Sequence, residues 1–345
     1  MMHRNIPDDS TAMWTDAATS SVVVGVDAGA TGTRCLVVSE EGLVLRSGRA
    51  PGANQRSSGD AWAESLVQAL RAALSGIDPE RVAAGFFGVA GAGGAGTVTA
   101  RAAAVSAWRG QRLPGLPVVG MDIVAAFAAG SAAPEGLVLS AGTGAVAARI
   151  HTTSVVRRCD GYGWWLGDEG SAVWIGRAAL RAVLGAMDGR DPGTALVDTV
   201  PRALLGQSAP PPGEDLAQAL VARVYGAPPA ELGGVAPVVD EAARAGDAVA
   251  HRILAEAAER LLHTLDSVRA GQAADGLPVV LSGSVLTRPT LVAELVAQGV
   301  RERYGVEPVR AHEGAVGAAA LALRHHLGDT ARARAAHEKL LDSAG

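Results

Sequence analysis

The sequence predicts an α/β protein of two similar domains, each with the order βββαβαβα, and a cleft between them. Its 345 residues exceed the roughly 100–200 residues of one ordinary domain. Two stretches, at 22–48 and 136–157, share an order of apolar strand, small-residue turn and two more strand-like segments. Alternating helical and strand-like segments follow each stretch, and this repeated order predicts a duplication.

The first half begins with a continuous apolar run at 22–26, which predicts a strand buried on both faces. Apolar residues at helical spacing predict a helix over 60–74, and Asp60 can cap its N-terminus. The other elements predicted in this half are strands at 35–39, 43–48, 85–90 and 117–121, a helix through Trp108, and a helix that starts at Asp122.

The second half repeats this order with extra helices inserted. Its predicted strands lie at 136–140, 145–150, 153–157, 278–281 and 306–310, and its last two helices at 288–301 and 314–325. These elements predict a loose tail at 1–20, a first domain at 21–130, a second domain with a helical insertion at 131–327, and a C-terminal tail or helix at 328–345.

Composition excludes several classes of partner. The net charge of −5 and the lack of a dense Lys/Arg run argue against nucleic acid and anionic membranes, so a small molecule is expected. Cys35 and Cys159 are far apart and form no C-x-x-C pair, which indicates neither a disulfide framework nor a zinc site. The uncharged stretch 82–100 is rich in glycine, and the N-terminus has no apolar signal region, so we expect a cytoplasmic protein.

The turn after the first strand, Asp27-Ala-Gly-Ala-Thr-Gly-Thr, has the small residues that let backbone N–H groups approach a phosphate. An Asp there would repel phosphate unless a cation bridges the two, so Asp27 is interpreted as a Mg²⁺-side carboxylate. Thr31 and Thr33 could supply hydroxyl groups. A tight hairpin that requires Asp and Gly for conformational reasons is an equally good interpretation of this turn alone.

A second small-residue turn, Ala141-Gly-Thr-Gly-Ala, lies at the equivalent point of the second half. Two such turns at matching places favour a phosphate-binding pair. A Walker A loop is excluded because the only lysine is Lys339. The segment at 91–96 satisfies G-x-G-x-x-G, but no acidic residue follows it before Asp122, so a dinucleotide site is only a minor alternative.

Three further polar features are candidates for chemistry or binding. Asp122 follows a strand and opens a helix, so it could project from the carboxyl edge of the sheet or cap the helix. The segment 160–171, DGYGWWLGDEGS, combines glycines with Asp168 and suits a ligand with many hydroxyl groups. In the same segment we expect Trp164 and Trp165 to lie in the core. Asn54 could bind a sugar hydroxyl or simply form a turn.

Together, GVDAGATGTR, PGAN, GVAGAGG, GMDIVAAF, LSAGTGAVA, GWWLGDEGSA and LSGSV resemble the ordered motifs of the BadF/BadG/BcrA/BcrD ATPase family, in its N-acetylglucosamine kinase branch. The resemblance covers about residues 22–325. It implies the actin-like, ribonuclease H-like fold and an ATP-dependent kinase that phosphorylates an amino sugar, N-acetylglucosamine, at O6. It also implies ATP and Mg²⁺ as cofactors and a homodimer.

The resemblance assigns roles to individual residues of this chain. It implies Asp122 as the catalytic base, which also contacts the sugar, and Asn54, Gly144 and Asp168 as further sugar contacts. The implied nucleotide and Mg²⁺ contacts are Asp27, Gly29, Thr31 and Gly32 in the first turn, Gly142, Thr143 and Gly144 in the second, and Ser282, Gly283 and Ser284 in a third turn.

Three departures from the family pattern bear on the substrate. Val146 stands where eukaryotic N-acetylglucosamine kinases have Asn, Arg34 where Lys is common, and Ser284 where Gly is usual. Glucosamine or another hexose therefore stays open as the acceptor. The main alternative of a different class is an ATPase activator of an acyl-CoA dehydratase or reductase, which needs closely spaced cysteines for an iron–sulfur cluster.

Overall fold

A computed structural model of the protein describes residues 20–29, 32–52, 62–91, 96–206, 215–269 and 276–344. The chain divides into two compact units, the first formed by residues 1–125 and 313–345 and the second by residues 126–312. Each unit has a mixed five-stranded sheet with helices, which confirms the α/β class.

The first unit's sheet has the strand order β3-β2-β1-β4-β5. β1 pairs antiparallel with β2 and β2 with β3, whereas β1, β4 and β5 are parallel. The carboxyl ends of the three parallel strands therefore meet at one edge, where open α/β sheets bind ligands. The strands are β1 Val22–Ala28, β2 Thr33–Ser39, β3 Val44–Ala50, β4 Val82–Val89 and β5 Val118–Met121.

Helices of the first unit cover this sheet. Trp108 is fully buried, packs edge-on against Phe87 at 6.2 Å between ring centroids, and donates from Nε1 to the carbonyl of Pro114 at 3.0 Å. The helices are α1 Trp62–Ala73, a 3-10 turn Pro79–Arg81, α2 Thr97–Gly110 and α3 Asp122–Ala128, which begins in this unit and ends in the second.

The C-terminal helices also belong to the first unit. They are α11 Gly314–Leu327 and α12 Ala331–Ser343, named in chain order after those of the second unit. α11 packs so closely on β1 that a Cβ built on Gly25 would lie 2.1 Å from the backbone nitrogen of Ala319. This close approach explains why the helix predicted at 314–325, which the sequence analysis placed in the second domain, lies with the first unit.

The second unit repeats the arrangement, with the strand order β8-β7-β6-β9-β10 when read from the other edge. β6 pairs antiparallel with β7 and β7 with β8, while β6, β9 and β10 are parallel. The strands are β6 Glu135–Ala141, β7 Ala145–His151, β8 Ser154–Asp160, β9 Val279–Ser282 and β10 Val309–Arg310.

Helices inserted between β8 and β9, and between β9 and β10, enlarge the second unit. They bury apolar faces in a core shared with β6, β7 and β9, in which α8 contributes the longest face. The helices are α4 Ala172–Met187, α5 Leu196–Leu205, α6 Leu216–Tyr225, a 3-10 segment Pro229–Val235, α7 Ala236–Arg244, α8 Ala248–Arg269, α9 Ser284–Thr287 and α10 Leu291–Tyr304. In the part of the chain that the structure describes, no helix has the length and apolar character of a membrane span.

Candidate active site

Two carboxylates lie at the carboxyl edge of the first unit's sheet. Asp27 is the next-to-last residue of β1, and Asp122 begins α3 directly after β5. Only β4 lies between these strands, and its Gly88 is in register with Asp27. A Cβ built on Gly88 would lie 3.1 Å from the Cβ of Ala125 and 3.5 Å from the Cα of Asp122, so the start of α3 packs directly against β4 at this residue.

At this edge the carboxylates near Asp27 outnumber the cations that act on it. Burial, followed by the charge of Asp122, raises the pKa of Asp27 to about 7. Glu313 also raises this pKa, whereas Arg34 lowers it. The shift means that the ionised form of Asp27 is costly in the protein alone. A cation brought in with a ligand would remove that cost.

The donor set fits a Mg²⁺ ion held by Asp27 through water. Carboxylates are ligands that this hard cation prefers, and Mg²⁺ usually keeps several of its waters. Among the residues described, no group of three or more His, Cys, Asp or Glu side chains is placed to hold a metal.

The N-terminus of α11 touches the Asp27 carboxylate. A Cβ built on Gly314 would lie 2.6 Å from Cγ and from Oδ2 of Asp27, which is closer than real Cβ contacts. The positive end of a helix favours a negative charge next to it. Gly314 thus allows α11 to support Asp27, a role that was not predicted because the two residues are far apart in the sequence.

Asp122 makes a local contact that fits both interpretations of this residue. Its Oδ1 accepts a hydrogen bond from the N–H of Ile123 at 2.9 Å, so the carboxylate supports the start of α3. The side chain is only partly buried, which leaves it within reach of solvent or a substrate.

The first small-residue turn is closed by the N–H of Gly29, which donates to the carbonyl of Gly32 at 3.1 Å. Thr33 is fully buried, and its hydroxyl donates to the carbonyl of Pro51 at 2.8 Å. That bond gives Thr33 a structural role and does not favour the predicted phosphate contact. Thr31 and Asn54 lie outside the described residues.

In the second unit, two of the predicted nucleotide turns come together. β6 and β9 are adjacent and parallel, with Ser140 opposite Ser282, so the turns that follow them share one edge of the sheet. A Cβ built on Gly142 would lie 4.0 Å from Oγ of Ser284. Gly283, between strand and helix, has a φ of 83°, a conformation that favours glycine.

Asp168 is fixed beside the second turn. Its Oδ1 accepts a hydrogen bond from the N–H of Ala145 at 3.2 Å, and a Cβ built on Gly144 would lie 2.9 Å from its Oδ2. Burial raises the pKa of Asp168, and the hydrogen bond from Ala145 opposes that shift. The structure thus brings together Gly144 and Asp168, both predicted sugar contacts, in the second unit.

Asp160 organises the loop that carries Asp168. This carboxylate is buried and accepts hydrogen bonds from the N–H groups of Asp168 and Glu169, both at 2.8 Å. Asp160 and Asp168 have φ values of 65° and 57°, which are unusual for residues other than glycine. Asp160 was not among the residues predicted from the sequence, although an acid at the start of a glycine-rich segment is a visible signal.

The prediction that Trp164 and Trp165 lie in the core is wrong. Their exposed fractions are 40% and 76%. Asp160 occupies the interior of this loop, and the N–H of Gly167 donates to the carbonyl of Gly163 at 2.8 Å to close a turn. The chain between those glycines therefore faces outward.

Residues 24–322 match the BadF/BadG/BcrA/BcrD ATPase family. An N-acetyl-D-glucosamine kinase of Dictyostelium discoideum is 25% identical over 301 residues, which cover 82% of this chain and 91% of that protein. An N-acetylmuramic acid/N-acetylglucosamine kinase of Clostridium acetobutylicum is 32% identical over 153 residues, which cover 44% of this chain and 47% of that protein.

Solved structures share the fold. A Chromobacterium violaceum protein, provisionally assigned as an N-acetylglucosamine kinase, superposes with a TM-score of 0.67 at 24% identity, covering 88% of this chain and 99% of its own. A ROK family glucokinase from Streptomyces griseus, solved with glucose and AMPPNP, gives a TM-score of 0.54 at 20% identity, with coverage of 88% and 99%. These likenesses confirm the predicted actin-like, sugar-kinase type of fold.

Proposed function

The chain belongs to the BadF/BadG/BcrA/BcrD ATPase family, and from this membership we propose that it is an ATP-dependent kinase of an amino sugar, N-acetylglucosamine, acting at O6. The observation that carries the proposal is the pair Asp27 and Asp122 at one edge of the first sheet. Asp27 is suited to hold a cation, and Asp122 is suited to accept a proton. The names of the Dictyostelium and Clostridium relatives support the choice of acceptor.

Asp122 is the proposed general base. Its carboxylate accepts the proton of the sugar hydroxyl while the hydroxyl oxygen forms a bond to the γ-phosphorus of ATP. The bond from that phosphorus to the β–γ bridging oxygen breaks, and its electron pair leaves with ADP. The proton then passes from Asp122 to water.

Asp27 is the proposed anchor for Mg²⁺, through water. When bound, Mg²⁺ supplies positive charge that offsets the negative charge of the phosphates. Gly314 and the start of α11 keep the Asp27 carboxylate in place. Gly29 and Gly32 are proposed as phosphate contacts from the family resemblance. Thr31 is proposed in the same turn from the family resemblance.

The second unit is proposed to contribute contacts that bind the nucleotide and the sugar, and no group that takes part in the transfer step. Its nucleotide contacts would be the turns 142–144 and 282–284, whose closeness supports a joint role. Asp168 would bind sugar hydroxyl groups as an acceptor, with Gly144 beside it, and Asn54 is proposed as a further contact. The family resemblance also supports a homodimer, which light scattering of the purified protein would test.

Release of ADP across a panel of sugars tests the function. Purified protein with ATP and Mg²⁺ is assayed with N-acetylglucosamine, N-acetylmannosamine, glucosamine, glucose and no sugar. We expect release that depends on N-acetylglucosamine, with the new phosphate at O6 by phosphorus–proton NMR correlation. Equal release with and without every sugar would refute the kinase, and a preference for glucosamine or glucose would correct the acceptor.

Iron analysis of anaerobically purified protein addresses the activator alternative. Cys35 is fully buried in β2, where burial raises the pKa of its thiol well above the ordinary range. Cys159 lies on β8 and is partly buried. We expect substoichiometric iron and no visible absorption from a cluster.

A further inference from the structure

We propose that Arg34 binds the γ-phosphoryl group of ATP and stabilises the charge on it during transfer. This inference rests on the proposed kinase function and adds a catalytic residue to it. The side chain lies in the first unit, at the end of the first small-residue turn.

Arg34 and Asp27 are directly opposite each other in the antiparallel pair β1 and β2. Directly opposed residues in such a pair have side chains on the same face of the sheet, with Cβ atoms about 5 Å apart. The guanidinium therefore lies on the face where Asp27 would hold Mg²⁺. It also comes directly after Thr33, so it follows the backbone that is proposed to approach phosphate.

Much of the Arg34 guanidinium is available to a ligand. Within the described ranges its one ion pair joins Nε to Oε1 of Glu313 at 3.2 Å, and no hydrogen bond to another described residue holds it. The side chain is 39% exposed. A guanidinium offers five N–H donors in a planar fork that fits two oxygens of a phosphoryl group.

Arg49 allows Arg34 to leave Glu313 and bind a phosphoryl group. Its Nη2 lies 3.1 Å from the same Oε1 of Glu313, and its side chain is 68% exposed. When a phosphoryl oxygen attracts Arg34, Arg49 continues to neutralise Glu313. Arg49 lies on β3, which is one strand further from Asp27 than β2, so it is the less suitable residue to reach the phosphoryl group.

The negative charge of the surrounding carboxylates explains why a cation such as Arg34 is needed. Asp27, Asp122 and Glu313 place three carboxylates near the position where a phosphoryl group must react. During transfer negative charge spreads over the three equatorial oxygens of that group. A fixed cation on the same face offsets the repulsion that these carboxylates would cause.

The test compares Arg34→Gln with Arg49→Gln, since each variant removes one of the two cations paired with Glu313. Affinities for ATP and ADP are measured by calorimetry with Mg²⁺, and kcat by ADP release. For Arg34→Gln we expect kcat to fall about 10²-fold and ATP affinity about 10-fold, with ADP affinity unchanged. For Arg49→Gln all three values should stay within about 2-fold of wild type.

Equal losses in both variants, or an unchanged ratio of ATP to ADP affinity in Arg34→Gln, would overturn the inference. If Arg34→Gln does not fold, the double variant Arg34→Gln/Glu313→Gln removes both members of the ion pair and gives the same readout. The affinity ratio requires no sugar. Wild-type protein that discriminates ATP from ADP but phosphorylates no sugar would therefore refute the kinase proposal separately.

Discussion

The two turns predicted to hold phosphate look alike in sequence but differ in their charged surroundings. The first turn begins at Asp27, whose pKa is raised by burial and by the nearby carboxylates Asp122 and Glu313. The second turn, 142–144, contains no ionisable side chain; burial also raises the pKa of its neighbour Asp168, but there a backbone hydrogen bond from Ala145 opposes the shift. For the proposed kinase we therefore expect changes at the first turn to alter mainly the rate of the chemical step and changes at the second turn to alter mainly binding.

Removing the charge of Asp27 should have the largest effect. For Asp27→Asn we expect a loss of about 10³-fold in kcat, because the Mg²⁺ anchor is gone. The same change should stabilise the protein without nucleotide by on the order of 1–3 kcal/mol, because it removes one of three neighbouring carboxylates. Steady-state kinetics and thermal unfolding measure the two effects, and a variant that is both active and less stable would contradict them.

The sign of this stability effect depends on pH. The pKa of Asp27 rises from 3.8 to about 7 on folding, so between these values the folded state binds more protons than the unfolded state. Stability contributed by the protonated form is therefore lost as pH increases through that window. The stabilisation by Asp27→Asn should accordingly be small at pH 4 and largest at and above pH 7.

Gly314→Ala should disturb the first site through packing alone. The added Cβ would lie 2.6 Å from the Asp27 carboxylate, so we expect kcat to fall about 10²-fold and more Mg²⁺ to be needed for half-maximal rate. Gly110→Ala is the matched control, since a Cβ there meets nothing within 4 Å. Comparable kinetics for the two variants would show that α11 does not position Asp27.

Gly144→Ala is the equivalent change in the second unit and should have a smaller effect of another kind. Its Cβ would lie 2.9 Å from Oδ2 of Asp168, so we expect the KM for the sugar to increase about 10-fold, with kcat within about 3-fold. Gly193→Ala, where a Cβ meets nothing within 4 Å, is the control. A large fall in kcat with unchanged KM would remove the distinction between the two turns.

Much of the fold could be predicted because local patterns determine it. Continuous apolar runs mark the buried strands β1, β4 and β6, and the repeated element order reveals the two sheets. The position of α11 could not be predicted in this way. It depends on Gly25 and Ala319, which are far apart in sequence and become neighbours only when the helix packs on β1.

The candidate site was predictable in its motifs but not in its contacts. Asp27, Asp122 and Asp168 stand out because each lies within two residues of a glycine, in a segment with few other charged side chains. The exposure of Trp165 could not be inferred, because an apolar side chain next to a glycine-rich turn is as compatible with the core as with the surface. It depends on Asp160, whose carboxylate binds the loop backbone from inside.

In the proposed reaction, Asp122 accepts the proton of the sugar hydroxyl. Its most direct test is single-turnover transfer of phosphate from ATP to N-acetylglucosamine by wild type and Asp122→Asn, together with ATP affinity by calorimetry. We expect a transfer rate about 10²–10⁴-fold lower in the variant and an ATP affinity within about 2-fold of wild type. A variant that transfers phosphate at the wild-type rate would contradict it.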